Sequence, residues 1–184
     1  TGDLIDMKAD LHPQKEAIVF RDERHTYSDI ARESAQISKS LLALGVEPGD
    51  RIGYFLGESV ETVLIMLGAA KIGAICAPIN SRFKPRELRQ VIVHAGMKVV
   101  FTTASDAGTD FNELIQRTFP QIAESGSSSL SLQDAPELQT VVVMDAIERP
   151  GTVNQTELDR LAESVSDEEV LFRQSGVRVR ETAI

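Results

Sequence analysis

One cysteine, no tryptophan and no long apolar run set the first limits on this 184-residue chain. Cys76 has no second thiol to pair with inside the chain, so a disulfide-stapled extracellular scaffold is excluded. No apolar stretch approaches the roughly 20 residues that a membrane span needs. Cations are scarce as well: 19 Lys and Arg stand against 28 Asp and Glu, a formal net charge of -9. Nucleic acids and anionic lipid surfaces are held by clustered Lys and Arg, so no nucleic-acid partner is expected. Only Arg82, Lys84, Arg86 and Arg89 crowd together, and such a group reads as the solvated start of a helix. The opening Thr1-Gly2-Asp3-Leu4 has no basic region followed by an apolar stretch, which makes a cytoplasmic location the expectation.

What is present is an ordinary globular balance, 42% hydrophobic and 26% charged, enough for one good core. Short apolar runs alternate with helical patterns, the mark of an α/β fold with a mainly parallel sheet flanked by helices. An edge β-hairpin is expected from Ala17-Ile18-Val19-Phe20, a polar turn at Asp22-Glu23-Arg24 and a partner strand near Thr26. Thr26 and Asp29 have capping-box spacing and open a helix whose Ile30, Ile37, Leu41 and Leu44 form one stripe up to Gly45. Arg51 to Leu56 reads as a strand. The Ser59 hydroxyl is then expected to cap a helix with Val60, Val63, Leu64, Leu67 and Ala70 inward, ended by Gly73.

Ala74 to Ile79 is a short strand with Pro78 at its exit. Pro85 opens a helix that turns Leu88, Val91, Ile92 and Ala95 inward and stops at Gly96. Lys98 to Thr103 follows as a strand whose unbroken apolar centre suggests parallel pairing with both faces covered. Beyond it the pattern predicts a helix over 111–118, a flexible surface segment over 125–129, a strand over 141–144 and a short helix over 156–162. A capping box at Ser166 and Glu169 opens a last helix containing Val170, Leu171 and Phe172, and 176–184 is expected to be extended.

No residue pattern carries chemistry. Gly68 and Gly73 lie in or at the end of an apolar helix, where packing and capping explain them, and no glycine-rich phosphate cradle is present. His12, His25 and His94 are far apart, and Cys76 lacks a neighbour at ligand spacing. Cys76 itself reads as a small buried hydrophobe. Asp167-Glu168-Glu169 sits at a helix start, where the dipole favours negative charge.

Several of these landmarks occur in the order seen in one superfamily. Thr26-Tyr27-Ser28-Asp29-Ile30, Leu42-Ala43-Leu44-Gly45-Val46-Glu47-Pro48-Gly49-Asp50-Arg51-Ile52 and Leu67-Gly68-Ala69-Ala70-Lys71-Ile72-Gly73-Ala74 resemble successive motifs of the adenylate-forming, or AMP-binding, enzymes. Pro78-Ile79-Asn80-Ser81-Arg82-Phe83 with Glu87-Leu88 is similar to the version in acyl-CoA synthetases and acid–CoA ligases. The match is densest over 10–105, topological over 106–165, and 166–184 resembles a capped helix and an extended lead-in to an ATP-binding loop. Val179-Arg180-Glu181-Thr182-Ala183-Ile184 is similar to that lead-in, with Glu181 where an aspartate is common.

The resemblance implies a single N-terminal subdomain over 1–184 of an AMP-forming ligase, itself inactive. ATP, Mg²⁺ and CoA belong to the full-length enzyme, which would convert a small carboxylic acid to its CoA thioester, AMP and pyrophosphate. Catalytic, cofactor-binding and metal-binding residues are assigned to none of the positions here. Asn80 and Arg82 are the substrate-binding candidates, because they leave a strand end where open α/β sheets place ligands. A structural reading stands beside this, in which Arg82 pairs with Glu87 and fixes the loop. The implied partner is the remainder of the same enzyme, an ATP-binding subdomain and a mobile C-terminal domain. Apolar surface exposed without them would favour self-association. The alternatives are a stand-alone α/β binding or regulatory module and, disfavoured by the missing phosphate cradle, an unrelated nucleotide-binding domain.

Overall fold

The computed structural model describes residues 2–106, 108–126 and 129–177. In chain order its elements begin α1 (Gly2–Leu11), β1 (Glu16–Phe20), β2 (Glu23–Thr26), α2 (Tyr27–Ala43), β3 (Arg51–Phe55), α3 (Val60–Lys71), β4 (Ile75–Pro78) and α4 (Pro85–Ala95). They continue with β5 (Met97–Thr102), the two-residue strands β6 (Ser105–Asp106) and β7 (Thr109–Asp110), α5 (Phe111–Thr118), a 3-10 turn (Pro120–Glu124), β8 (Thr140–Val143), β9 (Val153–Asn154), α6 (Gln155–Ala162) and α7 (Asp167–Gly176). The chain groups into two compact units, each built from separated stretches. One comprises Thr1–Gly49, Glu58–Cys76 and Leu161–Ile184, the other Asp50–Gly57 and Ala77–Arg160.

The first unit is helical apart from its hairpin. The hairpin forms a two-stranded antiparallel sheet of its own, and Glu23 and Arg24, expected in its turn, are already paired with Phe20 and Val19. Arg21 adopts φ 54°, so a tighter turn than the polar triplet suggested reverses the chain. At the start of α2 the Thr26 hydroxyl accepts the Asp29 N–H at 3.2 Å, and the Asp29 carboxylate accepts the Thr26 N–H at 3.0 Å. This is the capping box that the sequence spacing predicts. The hydrogen bond from the Thr26 hydroxyl, then that from the Thr26 N–H, then Arg32, hold the Asp29 carboxyl down at about 2.

Helices α2 and α3 approach closely at Gly68. A Cβ there would lie 2.8 Å from Ile37 Cβ and from the Ser34 carbonyl oxygen, and the Ser38 hydroxyl donates to the Gly68 carbonyl at 2.9 Å. Only a residue without a side chain fits this crossing. Ser59 stands at the N-cap of α3 in extended conformation, but its hydroxyl makes no capping bond. The buried face of α3 is shifted from the stripe read from sequence: Ile65, Gly68, Ala69 and Lys71 are buried with Val60, Leu64 and Ala70, while Val63 and Leu67, expected inward, are half-buried. Helix α1 has no counterpart in the sequence reading. Its Gly2 and Ile5 are buried while Leu4, Met7 and Leu11 are exposed, so no single apolar face advertises it.

The main sheet has strand order β4-β3-β5-β8-β9, and β3, β5, β8 and β9 lie wholly in the second unit. Strands β3 and β5, β5 and β8, and β8 and β9 pair in parallel. The continuous burial of Val99, Val100, Phe101, Val141, Val142 and Val143 matches the expectation of a sheet covered on both faces. One core cluster gathers Leu88 and Ile92 of α4, Phe111 and Ile115 of α5, and Phe119 and Ile122 beyond it against Phe55, Val100 and Val141. The Phe55 and Phe111 rings meet edge to face with centroids 4.9 Å apart. As expected, Pro85 opens α4 and Gly96, at φ 60°, closes it. Of the predicted flexible segment, Ser127 and Ser128 lie outside the described residues, as do 178–184 of the extended end. Gly176 belongs to α7.

Candidate functional site

The loop after β4 is shaped by its own backbone. The Ile79 N–H donates to the Tyr54 carbonyl at 2.9 Å, which ties the loop to β3. The Phe83 N–H donates to the Asn80 carbonyl at 3.0 Å, and the Asn80 side-chain oxygen accepts the Arg82 N–H at 3.0 Å. A β-turn and an Asx turn therefore coincide on Asn80. The two sequence candidates are thus in contact, with Asn80 holding the turn and the exposed Arg82 guanidinium projecting from it. The expected Arg82–Glu87 pair is not formed. Glu87 occupies the third position of α4, and its carboxylate turns back to accept the Lys84 N–H at 3.1 Å, as residues at that position commonly do.

Helix α4 carries the loop's residues onto a surface with two shallow depressions of about 380 and about 320 Å³, on either side of Gln90 and His94. One is bordered by Arg86, Arg89, Val93 and Asp134, the other by Phe83, Glu87 and Val91. Arg89 donates to Asp134 at 3.0 Å and to the Thr118 carbonyl at 2.6 Å, and its guanidinium lies 4.8 Å from the centre of the Phe119 ring. That cation is committed to structure.

A larger cleft of about 710 Å³ opens beside the connection from β8 to β9, with Glu148, Arg149, Asn154, Thr156 and Glu157 on its walls. Its floor is braced by Asp145, whose two carboxylate oxygens take both ends of the Arg149 guanidinium at 2.7 and 2.9 Å. Burial alone would raise the Asp145 pKa. Arg149 and the Ile147 N–H outweigh it and hold the carboxyl below its usual range. Asn154 caps α6 by accepting the Glu157 N–H at 2.8 Å. Arg149 is consumed within the protein, so the cleft offers no obvious cation to an anionic ligand.

The remaining chemistry-bearing residues stay apart. Burial pushes the Cys76 thiol up to about 12, so it stays protonated, with its S–H directed at the Ile65 carbonyl at 3.8 Å. His25 lies between Glu23 and Glu33, at 3.6 and 3.9 Å, on the hairpin. Among the described residues no three His, Cys, Asp or Glu side chains converge to hold a metal ion. What the loop after β4 does show is a turn fixed by Asn80, with Arg82 presented on it.

The sequence reading missed one polar centre. Lys71, the last residue of α3, is buried, and its ammonium donates to both carboxylate oxygens of Asp6 on α1. The amide of Gln174 on α7 donates to Asp6 at 2.8 Å and to Asp3 at 2.6 Å. A lone lysine closing the apolar run from Val63 to Ala70 was the available signal.

This framework is that of an adenylate-forming enzyme's N-terminal region: the model of the AMP-binding enzyme family matches residues 5–176, and the chain belongs to that family. It is 29% identical over 130 residues to the acyl-CoA ligase sidI of Aspergillus fumigatus, covering 70% of this chain and 22% of that protein. It is 28% identical over 174 residues to the mitochondrial medium-chain acyl-CoA ligase ACSF2 of Bos taurus, covering 94% of this chain and 28% of the relative. Among solved structures, an anthranilate CoA ligase, AuaEII, bound to anthranoyl-AMP superposes with a TM-score of 0.71 at 23% identity, over 86% of this chain and 27% of the other, a likeness of fold. The chain thus spans between a fifth and a third of these proteins' lengths. No described helix is long and apolar enough to cross a membrane. The relatives include a mitochondrial enzyme, so family membership by itself assigns no compartment.

Proposed function

We propose that this chain is the N-terminal part of an AMP-forming acid–CoA ligase, and that it scaffolds the reaction rather than performing it. The observation that carries the reading is the family match across residues 5–176. In the complete enzyme a carboxylate oxygen attacks the α-phosphorus of ATP, forming the acyl-adenylate and releasing pyrophosphate. The CoA thiol, losing its proton, then attacks the acyl carbon and releases AMP. Charge accumulates on the α-phosphate in the first step and on the acyl oxygen in the second, which preorganised donors must meet. ATP and Mg²⁺ would be held by the remainder of the enzyme, which this reading assigns to the ATP-binding subdomain.

The sheet and its helices would form the wall against which the acid pocket is assembled. Arg82 is the residue of this chain proposed to face the acid, on the turn that Asn80 fixes. The small carboxylic acid, the ATP-binding subdomain and the mobile C-terminal domain are the partners this reading requires, with the cytoplasm as its proposed setting.

The test is carboxylate-dependent exchange of pyrophosphate into ATP. The protein encoded by the complete gene is expected to catalyse it with at least one acid of a panel from short-chain to aromatic, and the 184-residue chain to give only background. Exchange by the purified chain at rates typical of enzymes would overturn the scaffold reading. No exchange by the complete protein with any acid would favour a stand-alone binding module.

A further inference from the structure

Eight large hydrophobic side chains are strongly exposed among the described residues, and five of them lie on the first and last helices: Leu4, Met7, Leu11, Leu171 and Phe172. Leu171 is 61% and Phe172 75% exposed. Helix geometry puts these five on one side of the first unit. At about 100° per residue, Leu4, Met7 and Leu11 fall opposite the buried Gly2 and Ile5 of α1, beyond the edge where Asp3 and Asp6 receive Gln174. On α7, Val170 is buried and Gln174 faces α1, which leaves Leu171, Phe172 and Glu168 outward at helical spacing. The exposed acids Asp3, Asp10, Glu168 and Glu169 rim this apolar face.

The opposite chemistry occurs at the start of α4. Lys84 and Arg86 are exposed and enter no ion pair among the described residues, with Arg82 beside them. Lys84 follows Phe83 directly in the chain; Phe83, Glu87 and Val91 line one depression, and Arg86 lines the adjoining one with the exposed Val93. In a chain of formal net charge -9, this surface joins three neighbouring exposed cations to accessible apolar groups.

We propose that the α1–α7 face of one copy docks on the α4 face of a second copy, head to tail. Leu171 and Phe172 fill the depression beside Phe83 and Val91, and the acidic rim meets Lys84 and Arg86. Pairing two α1–α7 faces directly would instead set the four acids against their own copies, which like-charge repulsion opposes. The face is an amphipathic helix seated in a groove, a recognised mode of association. Because the two surfaces differ, the contact leaves an open face at each end of the assembly and can grow beyond two copies. Its charged rim makes it weaken with salt. It does not depend on the ligase reading.

Sedimentation velocity of this chain over two decades of concentration tests it, with two variants whose changes are confined to exposed side chains. Leu171→Ser with Phe172→Ser removes the apolar anchors, and Lys84→Ser with Arg86→Ser removes the cations; Arg82, assigned to the acid, is left alone. The parent should gain weight-average mass with concentration and lose that gain at high salt. Each variant alone should stay monomeric, while an equimolar mixture of the two should form a one-to-one dimer and nothing larger, since one variant keeps its α4 face, the other keeps its α1–α7 face, and these intact faces meet once per pair. A mixture that reaches a one-to-one dimer and nothing larger is the supporting result. A monomeric parent at all concentrations, a cation-deficient variant that associates like the parent, or a mixture with no dimer overturns the proposal.

Discussion

The Lys71 ammonium, only 2% exposed, is held by an Asp6 carboxylate that is 36% exposed, and through this pair α1 is fastened to the end of α3. The two partners are therefore unequal. Asp6→Ala strands a buried cation and is expected to cost about 2 kcal/mol, less than the about 3–5 kcal/mol of a fully buried pair because water reaches the acid. Lys71→Met, which removes the charge and keeps the volume, should cost under about 1 kcal/mol. Urea denaturation of the two variants and of the double variant measures the difference; equal losses would mean that the ammonium is not effectively buried.

Gly68→Ala should destabilise the chain by about 2 kcal/mol despite alanine's higher helix propensity, because its Cβ would meet Ile37 and the Ser34 carbonyl at 2.8 Å. Combined with Ile37→Ala, the loss should be smaller than the sum of the singles. Additive losses would show that the helices do not touch there.

Two glycines with positive φ separate strain from collision. At Gly49, φ 88°, an added Cβ meets nothing within 4 Å, so Gly49→Ala should cost only the about 1 kcal/mol of left-handed backbone. At Gly151, φ 69°, the same atom would lie 1.6 Å from the Ile122 carbonyl oxygen. Gly151→Ala should therefore lose more than about 4 kcal/mol or fail to fold, as thermal melts would report.

The Asp29 carboxyl, lowered from 3.8 to about 2, stabilises α2 fully above the unfolded value. Its contribution disappears as pH falls from about 3.8 through about 2. Thr26→Ala removes the largest cause of the shift and should move the Asp29 midpoint upward, read by carbon NMR of the carboxyl group. It should also cost about 1 kcal/mol as a lost cap. An unchanged midpoint would sink the assignment.

Asn80→Ala breaks the bond to the Arg82 N–H and should cost about 1 kcal/mol. Arg82→Ala, with no ion pair to lose among the described residues, should stay within about 0.5 kcal/mol of the parent by the same chemical denaturation. A large loss from Arg82→Ala would restore the loop-fixing role that its expected pairing with Glu87 implied.

Much of this protein follows from local rules in its sequence. The capping box at Thr26, the stops at Gly45 and Gly96, the proline start of α4 and the apolar centre of β5 depend on residues within a few positions of one another. The ordered motifs from Thr26 to Glu87 likewise identified the family, because each is a backbone solution written in contiguous residues. Tertiary structure decided what contiguous residues cannot state. Helix α1 is held by contacts with α2 and α3 while its Leu4, Met7 and Leu11 stay exposed, and Lys71 finds Asp6 from 65 positions away. Glu87 chose the Lys84 N–H over Arg82, since closing a turn of its own helix is nearer than reaching a loop. The division into two units made of interleaved stretches belongs to the same category. Pairings across long sequence separations are set by burial and by which partners remain unmet, and those quantities exist only once the chain has folded.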